Sequence, residues 1–269
     1  MADTTTAFTG DVPENYDRFM GSMFFEPYAR DVALRVTATN PREVLELACG
    51  TGIVTAALRE ALPVTTTITA TDLNPAMIAC ARSKRTMPSE LRWRQADAQQ
   101  LPFEDESFDV VVCQFGFMFL PDKARGLREA CRVLRRGGRL LFSTWDSLQE
   151  NPLCAEAHGY LISRFPDNPP QFMLTPFGWF DVDAITELVR GAGFSLVRSE
   201  TLQLRARTPA ADQAARGMLV GSPAAAQIVE RGVQPEELVQ GFASRLRNRH
   251  GEGAIDVPMQ AIVFDAVRT

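Results

Sequence analysis

The chain has 269 residues, of which 45% are hydrophobic and 23% charged, with a formal net charge of −5 and a pI near 5.2; this is the balance of a globular protein with an apolar core. Such an acidic chain argues against broad nucleic-acid binding, which needs clustered Lys and Arg to displace counterions. No apolar run approaches the roughly 18–20 residues that span a bilayer, and Met1–Gly10 is polar and Thr-rich without the order of a signal peptide, so the chain is read as cytoplasmic.

Residues 1–40 are expected to form a helical N-terminal segment. From 42 to 145 strand-like and helix-like stretches alternate. Arg42–Cys49 carries Val44, Leu45 and Leu47 and ends in a glycine-rich turn; Gly52–Leu62 reads as a helix stopped by Pro63. Thr65–Asp72 is β-branched and fits a second strand. Pro75 opens a helix, at a position where its missing N–H costs nothing, and that helix is expected to run to about Arg85. Leu91–Asp97 is a third strand. Phe108–Phe115 (FDVVVCQF) is the continuous apolar run of a central strand covered on both faces. Asp122–Leu134 has Ala124, Leu127, Ala130, Cys131 and Leu134 at helical spacing, and Gly137-Gly138 leads into a fifth strand, Gly138–Trp145. This alternation implies right-handed crossovers and an α/β fold with a doubly wound, mostly parallel sheet.

Beyond Trp145 the rhythm changes. Asn151–Phe165 reads as a helix, Pro166–Phe180 is too rich in Pro and Phe for a regular element, Asp183–Ala192 is an amphipathic helix and Phe194–Leu204 a strand. Residues 208–250 are helical in composition. The expected organisation is one domain over 1–269: a core at 41–150, cap insertions at about 150–180 and 208–256 that cover a substrate, and a last strand at about 260–267. Cys49, Cys80, Cys113, Cys131 and Cys154 are odd in number and form no C-x-x-C pair, which favours free thiols over disulfides or a metal site. His158 and His250 are too few and too far apart for a His-rich metal centre, so no metal is expected.

The chemistry concentrates in Glu46-Leu-Ala-Cys-Gly-Thr-Gly52, the turn after the first strand. Glycines there let backbone approach a ligand and begin a helix whose N–H groups face it. Two registers of the dinucleotide fingerprint fail: counted from Gly50 its last position is Thr55, and from Ala48 it is Ile53. Glu46 would repel a pyrophosphate but could pair with a cationic amino group. Asp72 and Asp97 end the second and third strands. Each acid alone reads as an ordinary strand-end cap; at the ends of three successive strands they point to a bound cofactor.

Glu46–Gly52 resembles the first motif of the class I S-adenosylmethionine methyltransferases, E-x-G-x-G-x-G, with Ala48 in place of its first glycine. In ATDLNPAMI, Asp72 resembles the acid that takes both ribose hydroxyls, with Leu73 and Met77 against the adenine. Asp97 and Ala98 resemble the segment that accepts the adenine amino hydrogen and covers the ring, and Gln114 and Phe115 the positions that border the methionine part. The stretch ARGLREACRVLRRGGRLLFSTWD is similar to the helix, turn and fifth strand of the branch related to the ubiquinone- and menaquinone-biosynthesis C-methyltransferases. Upstream, Tyr16–Tyr28 matches an N-terminal helix of that branch, which places Tyr16, and also Tyr28, at the cofactor's carboxylate or sulfonium region. The resemblance covers roughly residues 15 to 200 and the last strand. It implies a seven-stranded sheet with an antiparallel last strand, S-adenosyl-L-methionine held by Tyr16, Tyr28, Glu46, Ala48, Gly50, Thr51, Gly52, Asp72, Leu73, Met77, Asp97, Ala98, Gln114 and Phe115, and a small-molecule acceptor.

Methyl transfer to carbon or oxygen is an in-line displacement that needs alignment and exclusion of water, and a base only where the acceptor must lose a proton. His158, in the helix after the fifth strand, is the candidate for that base; its bland reading is a structural or solvent-facing histidine. His250, among Arg245, Arg247 and Arg249, reads as surface. Arg135-Arg136 reads as a solvated helix end. Phe115, Phe117, Phe119, Phe172, Phe177, Trp179 and Phe180 fill a core or line a pocket for an apolar or aromatic acceptor. The rival readings are an NAD(P)-dependent oxidoreductase, weakened by the spacing above and by the lack of a Y-x-x-x-K pair, and a non-catalytic S-adenosylmethionine-binding protein. Gln114-Phe-Gly-Phe117 stands where exocyclic-amine methyltransferases commonly carry N-P-P-[FY], which argues against a nucleic-acid base as acceptor.

Overall fold

The computed structural model describes residues 10–84 and 91–269. Met1–Thr9 and the expected helix end at Arg85 lie outside them. The strands are β1 (Glu43–Glu46), β2 (Thr67–Asp72), β3 (Leu91–Gln95), β4 (Phe108–Gln114), β5 (Leu134–Trp145), β6 (Phe194–Thr208) and β7 (Ile255–Arg268). They make one seven-stranded sheet in the order β3-β2-β1-β4-β5-β7-β6. Neighbours from β3 to β5 are parallel, and β7 runs antiparallel to β5. The chain winds outward from β1 through β2 to β3, then returns to β4 on the other side of β1. The switch point of this sheet therefore lies between β1 and β4, where an open α/β sheet binds its ligand.

The helices in chain order are α1 (Val12–Met20), α2 (Glu26–Thr37), α3 (Ile53–Ala61), α4 (Pro75–Ser83), α5 (Lys123–Val133), α6 (Pro152–Arg164), α7 (Val182–Gly191), α8 (Ala211–Leu219), α9 (Ala224–Val229) and α10 (Pro235–His250), with a π-helical turn at Gly21–Phe25. Alternating strand residues feed two layers of core. Val44, Ile68, Val110, Val112 and Leu141 pack against α2 and α3. Leu45, Val111, Phe142 and Phe264 pack against α5 and α7. A strand buried on both faces is what the unbroken apolar run FDVVVCQ requires. Polar side chains start the helices where their spacing allows: Asn74 accepts from the Ala76 N–H at 2.9 Å, Asp122 from Arg125 at 2.9 Å, and Asp181 from Asp183 and Ala184.

The chain divides into two compact units. One holds Tyr28–Trp145, Trp179–Leu202 and Ala261–Thr269; the other holds the residues up to Pro27, Asp146–Gly178 and Gln203–Gln260. Both stretches expected to form a cap fall mainly in the second unit. There the helix expected at Asn151–Phe165 is α6, the helical composition of 208–250 resolves into α8, α9 and α10, Tyr160 donates to the Leu238 carbonyl at 3.1 Å, and its ring stacks on Phe242. His250, expected at the surface, is instead only 18% exposed, and its Nε2 lies 2.9 Å from Oε1 of Glu156, itself 5% exposed.

Three strands differ from expectation. β5 begins at Leu134, four residues early, because its pairing with β4 starts at Phe108–Leu134 and jumps to Val110–Arg139; Arg135–Gly138 bulge out of the ladder. Arg135 is thus no helix end: its guanidinium pairs with Asp109. β6 and β7 are longer than read, reaching Thr208 and starting at Ile255. The Asp109 carboxylate also accepts the N–H groups of Arg42 and Glu43 at 2.8 and 2.9 Å, and these donors with Arg135 hold its pKa below the ordinary carboxylate value. Asp109→Ala removes three acceptor bonds worth about 1 kcal/mol each at most. A thermal-denaturation series is expected to show a lower Tm at neutral pH and a difference that shrinks in acid, as the native carboxylate protonates.

Candidate cofactor site

The site is built at the carboxyl ends of β1, β2, β3 and β4. After β1 the backbone enters the left-handed region three times, at Ala48 (φ +51°), Gly50 (φ +54°) and Gly52 (φ +80°). Cross-strand bonds hold this path: Leu47 N–H to Val112 carbonyl at 2.8 Å and Cys49 N–H to Thr71 carbonyl at 2.9 Å. Gly52 has two reasons to be glycine. Its φ is left-handed, and a Cβ there would lie 3.0 Å from Cβ of Ala81 and 3.2 Å from the Trp93 ring. Ala48 takes the left-handed conformation despite its methyl, at a cost of about 1 kcal/mol.

Glu46 is 1% exposed. Thr55, one turn into α3, donates its hydroxyl to Glu46 Oε2 at 2.6 Å. Asp72 accepts the Gly50 N–H on Oδ2 and the Asn74 N–H on Oδ1, both at 2.8 Å. Each Asp72 oxygen keeps a further lone pair, so the carboxylate can still accept two adjacent hydroxyls. Among the described residues neither acid makes an ion pair. Burial pushes the Glu46 carboxyl up to about 8, with repulsion from Asp72 adding to it and the Thr55 bond opposing it. Burial also raises Asp72, against the pull of its backbone N–H bonds. The Lys84 ammonium donates to the Thr51 carbonyl of the same turn at 2.8 Å, yet it pairs with neither acid, so both carboxyls stay above their ordinary range.

The remaining predicted residues take distinct places. Asp97 follows β3, where its Oδ1 accepts the Gln99 N–H at 2.8 Å, and Ala98 packs on the core beneath. Met77 is buried, whereas Leu73 is 57% exposed. Thr51 is buried in the turn. Gln114 ends β4 in register with Ser143. Phe115 is left-handed (φ +55°), and its ring stacks on Trp145 with centroids 4.0 Å apart and 4° between planes. Tyr28 is buried edge-on to both rings, and its hydroxyl donates to the Leu202 carbonyl at 3.2 Å. Thus Glu46–Gly52, Asp72–Met77, Asp97–Ala98, Gln114–Phe115 and Tyr28 belong to one compact unit. Tyr16 and His158 belong to the other: Tyr16 stacks on Phe25 at 4.7 Å, and His158 lies in α6 with Nδ1 buried and without a hydrogen-bond partner.

Sequence reasoning missed Thr55, Trp145 and Gly116. Thr55 carried a signal, as a hydroxyl one helical turn beyond the glycines on the face toward β1. Trp145 carried none, because its partner is thirty residues distant on the neighbouring strand. The aromatic set divides as well. Phe117 is buried edge-on to Phe142, Phe172 and Phe177 are buried, Trp179 stacks on Phe142, and Phe180 is 41% exposed.

Residues 45–142 match the family model of the methyltransferase domain. Over 115 residues it is 40% identical to the demethylmenaquinone methyltransferase of Deinococcus radiodurans, a match covering 42% of this chain and 47% of that protein. Over 102 residues it is 39% identical to the ubiquinone/menaquinone biosynthesis C-methyltransferase of Idiomarina loihiensis, covering 37% and 41%. The matched part therefore spans about half or less of these relatives. Among solved structures, the Haemonchus contortus phosphoethanolamine N-methyltransferase 2, in complex with phosphomonomethylethanolamine and S-adenosylhomocysteine, superposes with a TM-score of 0.59 at 17% identity, over 98% of this chain and 59% of that one. At that identity the likeness shows the fold. No helix among the described residues is long and apolar enough to cross a membrane.

The buried carboxyl of this domain makes a testable link between stability and pH. Its folded value of about 8 exceeds the ordinary 4.5, so the stability it confers is whole below pH 4.5 and is lost as pH rises through 8. The slope is about 1.4 kcal/mol per pH unit. Glu46→Gln keeps an acceptor for Thr55 without the charge. Denaturant titrations of ligand-free protein are expected to show the variant losing less stability than wild type between pH 5 and 8; parallel curves would show that Glu46 ionises normally.

Proposed function

We propose that the chain transfers the methyl group of S-adenosylmethionine to a small apolar or aromatic acceptor, at carbon or oxygen. One observation carries the reading: a buried carboxyl, Glu46, and a half-buried one, Asp72, flank the glycine turn at the switch point, and among the described residues neither makes an ion pair. Such a pocket suits a ligand that brings its own positive charge and a pair of hydroxyls. A dinucleotide would instead set its pyrophosphate against Glu46, which disfavours an NAD(P)-dependent oxidoreductase. The quinone-methylating relatives and the family match at 45–142 support the same chemistry.

When bound, the cofactor supplies a methyl carbon already activated by sulfonium. Glu46 would pair with the cofactor's ammonium group, and Asp72 would accept from both ribose hydroxyls. Met77 and Asp97 receive the adenine, and the turn at Gln114–Phe115 borders the methionine part. These groups fix the direction of the methyl carbon, and a buried site excludes competing water. Bound there, the cofactor would supply the methyl group and keep the electron pair of the broken bond on sulfur, and an acceptor that loses a proton would need a base or water to take it. His158 is the candidate base. Burial lowers its pKa, which favours the neutral imidazole a base requires.

Calorimetric titration with S-adenosylmethionine and S-adenosylhomocysteine, with NADH and NADPH as controls, tests the cofactor assignment. Micromolar binding of the first pair is expected, weakened by about 100-fold or more in Asp72→Ala, which loses two charge-assisted hydrogen bonds. Binding of a nicotinamide nucleotide alone would overturn the assignment. Cofactor affinity without transfer to any acceptor of a quinone, phenol and polyketide panel would favour a non-catalytic binding protein. His158→Ala is expected to lower turnover at unchanged cofactor affinity; unchanged turnover removes His158 from the mechanism.

A further inference from the structure

Phe115 poses a physical question. A ring-bearing residue at φ +55° persists only where its surroundings over-determine it. Three contacts do so. Its N–H donates to the Ser143 carbonyl of β5 at 3.1 Å. Its ring lies parallel on Trp145, two residues further along β5, at 4.0 Å. Tyr28 closes the cluster edge-on at 5.3 Å from Phe115 and 5.4 Å from Trp145, anchored by its bond to Leu202.

The next residue shows what this conformation achieves. A Cβ on Gly116 would lie 2.6 Å from Cβ of Ala48 and 2.6 Å from Sγ of Cys113. The turn after β4 is thus pressed onto the glycine turn after β1, at the one residue where that turn carries a methyl in place of hydrogen. Two left-handed non-glycine residues, Ala48 and Phe115, stand on either side of this contact. If Phe115 relaxed to a negative φ, Gly116 would swing away and Ala48 would lose the neighbour that its methyl fits.

We propose that Trp145 is a positioning residue: its stack on Phe115 seats the Gln114–Gly116 turn against Ala48, and so shapes the end of the site that takes the amino-acid part of the cofactor. The inference rests on the cofactor reading above. It makes the two ends of the site separable, because Asp72, Met77 and Asp97 would hold the nucleoside end through β2 and β3, which β1 and β4 separate from the strand of Trp145.

The test compares two ligands by calorimetry: S-adenosylhomocysteine, which has the amino-acid part, and 5′-methylthioadenosine, which lacks it. Trp145→Leu is expected to weaken S-adenosylhomocysteine by about tenfold or more while leaving 5′-methylthioadenosine within about twofold. Trp145→Phe, which keeps a flat ring, is expected to restore most of the loss. Gly116→Ala leaves every aromatic ring in place and wedges the two turns apart; it is expected to give the same selective loss, and it carries the test if Trp145→Leu does not fold. Equal weakening of both ligands, or of neither, overturns the proposal. A wild-type protein that binds both ligands equally overturns it too, by showing that the turn does not touch the amino-acid part. Failure of wild type to bind either ligand strikes at the cofactor reading itself, a result distinct from the others.

Discussion

Glu46 is a carboxyl group withdrawn from water beside a second, half-buried acid, Asp72; among the described residues neither makes an ion pair, and the turns at the switch point are arranged around that fact. A buried uncompensated charge opposes folding, so the fold offsets it locally. Asp72 receives two backbone N–H groups, one from the glycine turn and one from the start of α4. Glu46 receives a hydroxyl and otherwise holds its proton up to about pH 8. The turn must therefore point its Gly50 N–H sideways at β2, which requires the left-handed residues after β1. Function and strain share a cause: the same desolvation that weighs on stability lets a cationic ligand pair strongly when it arrives.

The strain extends across the switch point. The family motif has glycine where this chain has Ala48, and the exchange is tolerated because Gly116 on the facing turn yields the space that the methyl occupies. A pair of complementary small residues replaces a single glycine, and the aromatic cluster of Tyr28, Phe115 and Trp145 holds the pair together. A motif departure that looks like a weakening in one strand is matched by its neighbour.

The family match ends at Phe142, and this boundary divides the chemistry. Glu46, Asp72, Asp97, Gln114 and Phe115 lie within it. His158, Phe172 and Phe177, the residues considered for the acceptor, all follow it, among helices α6 to α10 and the irregular stretch between α6 and α7. The stretch similar to the methyltransferase family model thus holds the acids and the two facing turns, and the residues considered for the acceptor lie outside it.

The sequence by itself determined the strand and helix alternation from 42 to 145, the glycine turn and the acids at the strand ends, because each depends on interactions within a few residues: period, capping, and the freedom of glycine. The helix starts at Pro75 and Asp122 were legible for the same reason, whereas the caps Asn74 and Asp181 came only with the structure. The tertiary structure alone decided the bulge that begins β5 early, the pairing of His250 with Glu156, the bond from Thr55 to Glu46, the fit of Ala48 to Gly116 and the stack of Phe115 on Trp145. It also gathered the expected cap segments and the N-terminal helix into a compact unit. These depend on which residues of different elements come face to face, and a register shift of one residue would exchange every such partner. Local chemistry is written along the chain; partnership across the sheet exists only once the sheet has formed.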